Sequence, residues 1–592
     1  MVDRDHPHPP VNIPEELHEG WLKYLSVKDL FNCRLVNHVW NDEASKLIGS
    51  IIKTSITERS HFTSILELTK NCPDHPYRTF ELQDIKISFD DPLIEEFFTV
   101  CGPYIHHLTI WYNREVDDWI ISSRTFRDIL LYYVPNLKSL TLQYLPYSIF
   151  SKEYVFPPVG FPEFFKPPLP LLKSLTIFSD WNLQQTLLED ILSLSDSIEN
   201  ITVKFGIPPG EFKKRLIAAM LNKQNNLRKL KSLKYFMHDP GPGSGWSWSP
   251  DECEALAKTN WDIRTLKLNP SRSDSDSGFM HLMEGKKNSL VRLTLRVHHP
   301  LRFPVLNFLV HLTLYDYEEN LSFLEQLPNL RYLGLCEYFP SKTVSSENII
   351  RKPSVSLTSL NMYGSTVPDH LFNKIIMCLP NLRNLNVWHC NSEKFRTVLK
   401  HSGLLEELII NVADMNDESM TGIPASVCEQ IERRLKNKAS YNDFSNELSH
   451  RDKAFIGDLK NLQRLELHGA CLEDWRWSSV GDVSLIFGIA CIPNLTSLFI
   501  KEFKWITEDA IKVIVRGTPL RHLKIDPREF NENLEPEIKE IRPEIRMEHL
   551  IDDYEQYHPR GMHSVADSFI PFAQESDNLG YDNELRNRLV LP

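Results

Sequence analysis

One eight-residue stretch, residues 380–387, decides the fold because it reads PNLRNLNV and its spacing recurs along the chain. The recurring element is a leucine followed by apolar residues three and five positions later, often after Pro-Asn. Three further stretches show it clearly: PNLKSLTL at 135–142, PNLRYLGL at 328–335 and PNLTSLFI at 493–500. Weaker copies begin at Tyr77, Ile105, Leu172, Ile198, Leu227, Ile263, Leu290, Leu309, Leu357, Leu405, Leu462 and Leu520. The sixteen copies indicate a repeat protein.

The spacing within each copy predicts a short strand with one buried face. Apolar residues two positions apart alternate with threonine or other polar residues, and the first leucine packs under the turn that leads into the strand. Amphipathic stretches between copies, such as 369–379 and 507–515, predict helices. The pattern is typical of an α/β leucine-rich-repeat solenoid with a parallel sheet on the concave face and helices on the convex face. An ordinary α/β domain with incidental leucines is the alternative.

The repeats divide the 592-residue chain into predicted segments. We expect a disordered N-terminus at 1–10, a helical module at 11–50, a linker with capping helices at 51–76, and the solenoid at 77–526. Three insertions interrupt the solenoid, at 144–170, 238–250 and 414–452. Residues 527–592 are acidic, without clear periodicity, and we predict a largely disordered tail.

The composition excludes several classes of protein. The chain has 66 Lys and Arg against 79 Asp and Glu, a formal charge of -13, which gives no overall field for nucleic acid or an anionic membrane. The ten cysteines form no Cys-x-x-Cys pair, and no window approaches the ~18 apolar residues of a membrane span. We expect reduced thiols in a cytoplasmic or nuclear protein, with no metal, cofactor or catalytic centre.

Residues 12–50 predict two or three short helices with more apolar residues than so small a unit can bury. The segment resembles an F-box in its order of short motifs. These motifs are PEEL at 14–17, LKYL at 22–25, SVKDL at 26–30 and RLVNHVW at 34–40. An F-box followed by leucine-rich repeats is a known architecture, and the two resemblances cover the chain to residue 526.

The F-box resemblance implies a partner and a set of contact residues. The partner is the small adaptor that links F-box proteins to a cullin-RING ubiquitin ligase of the SCF type. The residues implied to form or support that surface are Pro14, Leu17, Leu22, Leu25, Leu30, Val36 and Trp40. The alternative is that these residues only pack against the first repeat.

The exposed face of the sheet is the predicted surface for a target protein. Aromatic residues follow the second strand leucine of several copies: Trp111, Phe178, Tyr315, Tyr363 and Trp388. Exposed aromatics resemble interface anchors, although packing between neighbouring strands explains them as well. A second set on the same face could bind an acidic peptide, a phosphopeptide or an inositol phosphate, or could be solvated surface charge: Lys204, Lys267, Arg292 and Arg296.

These observations favour one function and leave a second open. The first is a non-enzymatic substrate receptor, in which the F-box binds the ligase adaptor and the repeats hold an unidentified target for ubiquitination. The second is a repeat scaffold that binds a partner without ubiquitin transfer. The two hypotheses differ in whether a bound target becomes ubiquitinated.

Overall fold

The structure is a computed structural model of the chain. It describes residues 22, 25–36, 38–72, 75–83, 91–113, 129–145, 169–178, 185–205, 210–237, 248–268, 275–297, 302–338, 340, 349–412, 415–437, 444, 453–469, 480–501, 503, 506–525 and 533–549. The chain divides into two units, and each is described by itself. The first comprises Met1–Trp246, Thr259–Ile263 and Ser568–Pro592, and the second comprises Ser247–Lys258 and Arg264–Asp567.

The first unit contains six described helices and seven strands. The helices are α1 (Val27–Cys33), α2 (His38–Ile51), α3 (Arg59–Asn71), α4 (Pro92–Cys101), α5 (Gln185–Ser193) and α6 (Gly210–Asn222). The strands are β1 (Lys53–Ile56), β2 (Thr79–Leu82), β3 (His107–Asn113), β4 (Ser139–Leu145), β5 (Ser174–Phe178), β6 (Asn200–Phe205) and β7 (Ser232–Met237). Each strand pairs in parallel with the next along the chain.

The second unit contains nine described helices and eleven strands. Its helices are α7 (Pro250–Ala257), α8 (Ser275–Lys286), α9 (Asp369–Met377), α10 (Ser392–His401), α11 (Asp417–Thr421), α12 (Ala425–Lys436), α13 (Asp482–Phe487), α14 (Glu508–Gly517) and α15 (Leu534–Ile541). Its strands are β8 (Thr265–Leu268), β9 (Arg292–Arg296), β10 (His311–Tyr315), β11 (Tyr332–Cys336), β12 (Ser359–Met362), β13 (Asn384–Val387), β14 (Glu407–Asn411), β15 (Arg464–His468), β16 (Ser497–Lys501), β17 (His522–Ile525) and β18 (Arg546–His549). These strands also pair in parallel in chain order.

The leucines of the repeat form the core. In β13 the side chains of Leu385 and Val387 are buried, whereas Asn384 and Asn386, which alternate with them, are half-exposed. Strict register places each such residue beside its equivalent in the next strand, so Leu385 lies opposite Leu408 of β14. Burying a leucine stabilises the fold by roughly 1.5–3 kcal/mol, and the repetition of this contact makes each repeat depend on its neighbours.

The asparagine of the Pro-Asn-Leu motif joins adjacent repeats by a hydrogen bond. Asn381 Nδ2 donates to the carbonyl oxygen of Val355 at 2.7 Å, and Asn329 Nδ2 donates to that of Asn307 at 2.7 Å. The asparagines at 136, 461 and 494 make equivalent bonds, to the carbonyls of residues 103, 403 and 460. Because the turns leave backbone acceptors unpaired, the amide satisfies an oxygen that no strand or helix bond reaches.

The predicted fold class, an α/β leucine-rich-repeat solenoid, is confirmed. The sixteen copies correspond to β2 through β17, with one error of register. The copy predicted to begin at Leu227 begins instead at Leu230, because the buried strand residues of β7 are Leu233 and Tyr235.

Two segments differ from the predicted boundaries. A strand, β1, lies inside the predicted linker at 51–76, and both α15 and β18 lie inside the predicted disordered tail at 527–592. The predicted solenoid limits, 77 and 526, are therefore too narrow at each end. The inward positions of these two strands include Thr54 and Met547 rather than leucine, which hid the pattern.

Not every repeat in the described part of the chain contains an α-helix. A 3₁₀ helix at Ser322–Gln326 lies between β10 and β11, and the described residues 302–310 before β10 contain no helix. These repeats are among the shortest in the chain, so too few residues separate the strands for an α-helix of several turns.

Candidate functional site

The first candidate surface belongs to the helical module formed by α1 and α2. The module has its own apolar core, to which Leu22, Leu30 and Ile48 contribute buried side chains. Ser26 caps α1, because its Oγ accepts a hydrogen bond from the backbone N–H of Asp29 at 3.2 Å. This cap fixes the start of α1 and turns Leu30 toward α2.

Among the described residues of the module, two large apolar side chains are exposed, Leu35 and Val36, at the turn between α1 and α2. Leu35 is 86% exposed and Val36 is 62% exposed. The turn is held by backbone hydrogen bonds from Leu35 N to Asn32 O at 3.0 Å and from Val36 N to Cys33 O at 3.1 Å. We call this pair the apolar turn. Adjacent exposed apolar side chains on an ordered turn are typical of a protein contact.

The seven predicted adaptor residues take different positions in this module. Leu22 and Leu30 are buried in its core, and Leu25 and Trp40 pack partly buried against it. Only Val36 among the described ones is exposed, whereas Pro14 and Leu17 lie outside the described residues. Leu35 belongs to the RLVNHVW motif but was not a predicted contact residue. Its exposure in the structure makes it a candidate contact residue.

The second candidate surface is the open face of the sheet in the second unit, defined as the half-exposed side chains that alternate with the buried ones. Tyr363, just after β12, and Trp388, just after β13, meet there with ring centroids 4.8 Å apart. Burial and the neighbouring Cys336 and Glu337 raise the pKa of Tyr363, so its hydroxyl stays protonated at neutral pH. The two rings form a single aromatic contact.

The row of rings continues with two residues, His468 and Phe499, that were not predicted from the sequence. The indole of Trp388 lies 6.0 Å from the imidazole of His468 in β15, which lies 5.7 Å from the ring of Phe499 in β16. The ammonium of Lys524 is 5.7 Å from the Phe499 ring centroid. The aromatic row therefore comprises Tyr363, Trp388, His468 and Phe499, and it spans five consecutive strands from the end of β12 to β16.

A chain of charged groups lies beside His468 on the same face of the sheet. Glu466 Oε1 lies 2.8 Å from His468 Nε2, its other oxygen lies 3.3 Å from Arg464, and Arg464 lies 3.2 Å from Glu407. Burial alone would raise the pKa of Glu466, but its bonds to His468 and Arg464 outweigh burial and lower it. The carboxylate therefore stays charged and holds the imidazole in place.

The other three predicted aromatic residues do not join the row. Tyr315 aligns with the buried Cys336 and has the ammonium of Lys267 5.6 Å from its ring centroid. Phe178 is half-buried on β5 of the first unit. Trp111 lies on β3, where it aligns with Gln143, and its side chain lies outside the described residues.

The four predicted anion-binding residues are not one site. Arg296 forms an ion pair with Asp316, and Lys267 lies against Tyr315. Arg292, at the start of β9, is half-exposed. Lys204 lies on β6 of the first unit, with its side chain outside the described residues.

The predicted insertion at 414–452 is anchored to the repeat that follows it. Asp417 Oδ1 accepts hydrogen bonds from Gly481 N at 3.0 Å and Ser484 N at 3.1 Å. Burial raises the pKa of Asp417 to about 6 even though these bonds favour its charged form. Helix α12 lies within this insertion. The predicted insertions at 144–170 and 238–250 lie almost wholly outside the described residues.

The described residues contain neither a cluster suited to a metal ion nor a membrane-spanning helix. Among them, no three His, Cys, Asp or Glu side chains converge as a metal site requires. No helix in the described part of the chain is long and apolar enough to cross a bilayer.

Known proteins resemble the chain only at low sequence identity and low TM-score. No family model and no curated protein matches the chain. The solved structure of a leucine-rich-repeat protein of Leptospira interrogans is 16% identical with a TM-score of 0.34, and the match covers 84% of this chain and 100% of that one. The crystal structure of the yeast Rad7 and Elc1 complex matches at 11% identity and a TM-score of 0.29, over 90% of each chain.

Proposed function

We propose that this protein is a substrate receptor of an SCF-type ubiquitin ligase. In this proposal the helical module is an F-box that binds the ligase adaptor, and the repeats hold a target protein for ubiquitin transfer by other subunits. The observation that carries it is the apolar turn, Leu35 and Val36, because it leaves two large side chains in water beside a core that buries Leu22 and Leu30.

The arrangement suits a non-enzymatic role. The strongest groupings of ionisable side chains described above, around Glu466 and Asp417, are held in mutual hydrogen bonds and ion pairs. They stabilise strands and helix ends, and a general acid or base must instead face its substrate. We therefore assign the chain a binding role and assign catalysis to its partners.

The target surface in this proposal is the aromatic row. Tyr363, Trp388 and Phe499 are half-buried and His468 is buried, and contacts between neighbouring rings hold the four in place, which are properties of interface anchors. The apolar turn lies in the first unit and the aromatic row in the second. Adaptor binding and target binding are therefore expected to respond to different substitutions.

The test is reconstitution of ubiquitin transfer with the full chain. The adaptor, cullin and RING subunits are added to the full chain together with a protein captured by the repeats, and ubiquitinated product is measured. Product that appears with the wild-type chain and disappears with the Leu35→Ser/Val36→Ser variant supports the receptor. Adaptor binding without ubiquitin transfer to the captured protein would favour the scaffold instead.

A further inference from the structure

Arginines collect at the amino-terminal ends of the first strands of the second unit. Arg264 precedes β8, Arg292 begins β9 and Arg331 precedes β11. The register aligns Arg292 with His311 at the start of β10, and aligns His311 with Tyr332. Arg292 and Arg331 therefore lie on either side of His311 along one edge of the sheet.

Two of these guanidinium groups have no hydrogen-bond or ion-pair partner among the described residues. Arg292 is half-exposed and Arg331 is exposed. Other arginines of the unit are neutralised by carboxylates, since Arg296 pairs with Asp316 and Arg383 pairs with Glu406. Among the described residues, the positive charge at the start of β9 and before β11 therefore has no carboxylate partner. Arg296, at the end of β9, has one in Asp316.

The histidine between them is held neutral. Burial, together with the charges of Arg292 and Arg331, lowers the pKa of His311 to about 4. Its ring packs 5.5 Å from the ring of Tyr332, which keeps the imidazole on the sheet surface. The charges of both arginines therefore act on His311. Its neutral imidazole can form a hydrogen bond to a ligand without adding charge.

We infer that Arg292, His311 and Arg331, here named the arginine edge, bind an acidic, extended segment of the target protein. The inference rests on the proposed function, because it describes the target that the repeats hold. The positive charge of the two guanidinium groups points to an anionic ligand, and their spacing favours a run of carboxylates over one compact group.

The spacing follows from strand geometry. Strands two apart place their backbones about 9.6 Å from each other, and alternate side chains of an extended peptide are about 6.7 Å apart. The reach of the arginine side chains covers the difference, so two carboxylates at alternate positions can each meet one guanidinium in a bidentate bond. A single phosphate would require both arginines to bend toward one point.

The experiment measures binding of a fluorescent peptide to the purified full chain by anisotropy. The probe is an extended peptide with glutamate at alternate positions, compared with the same peptide carrying glutamine, the same peptide carrying phosphoserine, and single-stranded DNA of equal charge. The variant is Arg292→Gln/Arg331→Gln. The matched control is Arg351→Gln/Arg516→Gln, which removes two exposed positive charges elsewhere in the unit.

We expect the glutamate peptide to bind at least tenfold more tightly than the glutamine peptide, roughly the effect of one charge-assisted bond. The Arg292→Gln/Arg331→Gln variant should lose about this tenfold advantage, whereas the control should keep it. Equal binding of the two peptides, unchanged binding by the variant, or binding only of the phosphopeptide or DNA would overturn the inference.

Two further measurements keep the outcomes distinct. Arg331→Gln alone changes only an exposed side chain, so a partial loss of peptide binding supports the inference even if the double variant melts early, and no loss contradicts it. Adaptor capture is measured on the same samples. Normal capture without peptide selectivity would refute the arginine edge alone, whereas failed capture would refute the proposed F-box.

Discussion

Removing the apolar turn should weaken adaptor binding strongly without unfolding the module. The perturbation is Leu35→Ser/Val36→Ser. These side chains are 86% and 62% exposed, so their loss removes little from the folded core. Burying both against a partner is worth about 3 kcal/mol, so the variant should bind the adaptor about a hundredfold more weakly.

The assay is titration of the purified adaptor into the full chain, with a melting curve of each variant. The matched control is Val355→Ser/Leu404→Ser, a second exposed valine and leucine at 65% and 45%, located in the second unit. Leu30→Ala serves as the folding control, because a fully buried leucine costs roughly 2–5 kcal/mol when truncated and should impair both folding and binding.

The apolar turn is not the adaptor contact if the Leu35→Ser/Val36→Ser variant binds the adaptor with wild-type affinity while its melting temperature is unchanged. The same conclusion follows if the control variant loses as much affinity. A fall in melting temperature as large as that of Leu30→Ala would show that the turn is part of the core and not a contact surface.

Three other perturbations test the fold and the aromatic row. Trp388→Ala should weaken target binding about thirtyfold, the loss of a 2 kcal/mol anchor, and spare adaptor binding; parallel pull-downs of target and adaptor measure this, and equal target capture would contradict it. Asn381→Ala should lower the free energy of unfolding by roughly 0.5–1.5 kcal/mol because the repeat loses one hydrogen bond to the exposed carbonyl oxygen of Val355, which urea denaturation measures against the wild-type chain. Acid should destabilise the first unit through His75, which is 1% exposed and whose pKa burial and nearby arginines lower to about 4. The unfolded chain binds a proton at His75 that the folded state does not bind, so the free energy of unfolding falls by about 3 kcal/mol as the pH drops from ~6.5 toward 4. His75→Gln should flatten this pH dependence, which denaturation at several pH values measures.

The sequence predicted the strands well because their signal is local. A leucine with apolar residues three and five positions later specifies a half-buried strand wherever it occurs, and parallel pairing in chain order follows from repetition. β1 and β18 were missed for the same reason, since Thr54 and Met547 occupy positions where the pattern expects leucine. Their place in the sheet depends on neighbouring strands, which a local pattern does not contain.

The candidate surfaces were harder to predict because they depend on which apolar residues stay outside the core. Leu30 and Leu35 are chemically identical, yet one lies on the inner side of α1 and the other lies beyond its last turn. The aromatic row joins Trp388 to His468, which are separated by the whole insertion at 414–452. Trp388 and His468 are far apart in the sequence but close together on the sheet, so a local sequence pattern did not predict their contact.

The asparagine hydrogen bonds give this fold tolerance to changes of length. Asn461 reaches the carbonyl of Gly403 at 2.9 Å across 58 residues of chain, with the same geometry that joins Asn329 to Asn307 across 22. Closing a flexible connection twice as long costs only about 0.6 kcal/mol, which is comparable to one such bond. New segments can therefore enter between strands without disturbing the register, and the connection after α12 is a natural place to graft a binding loop or a reporter domain.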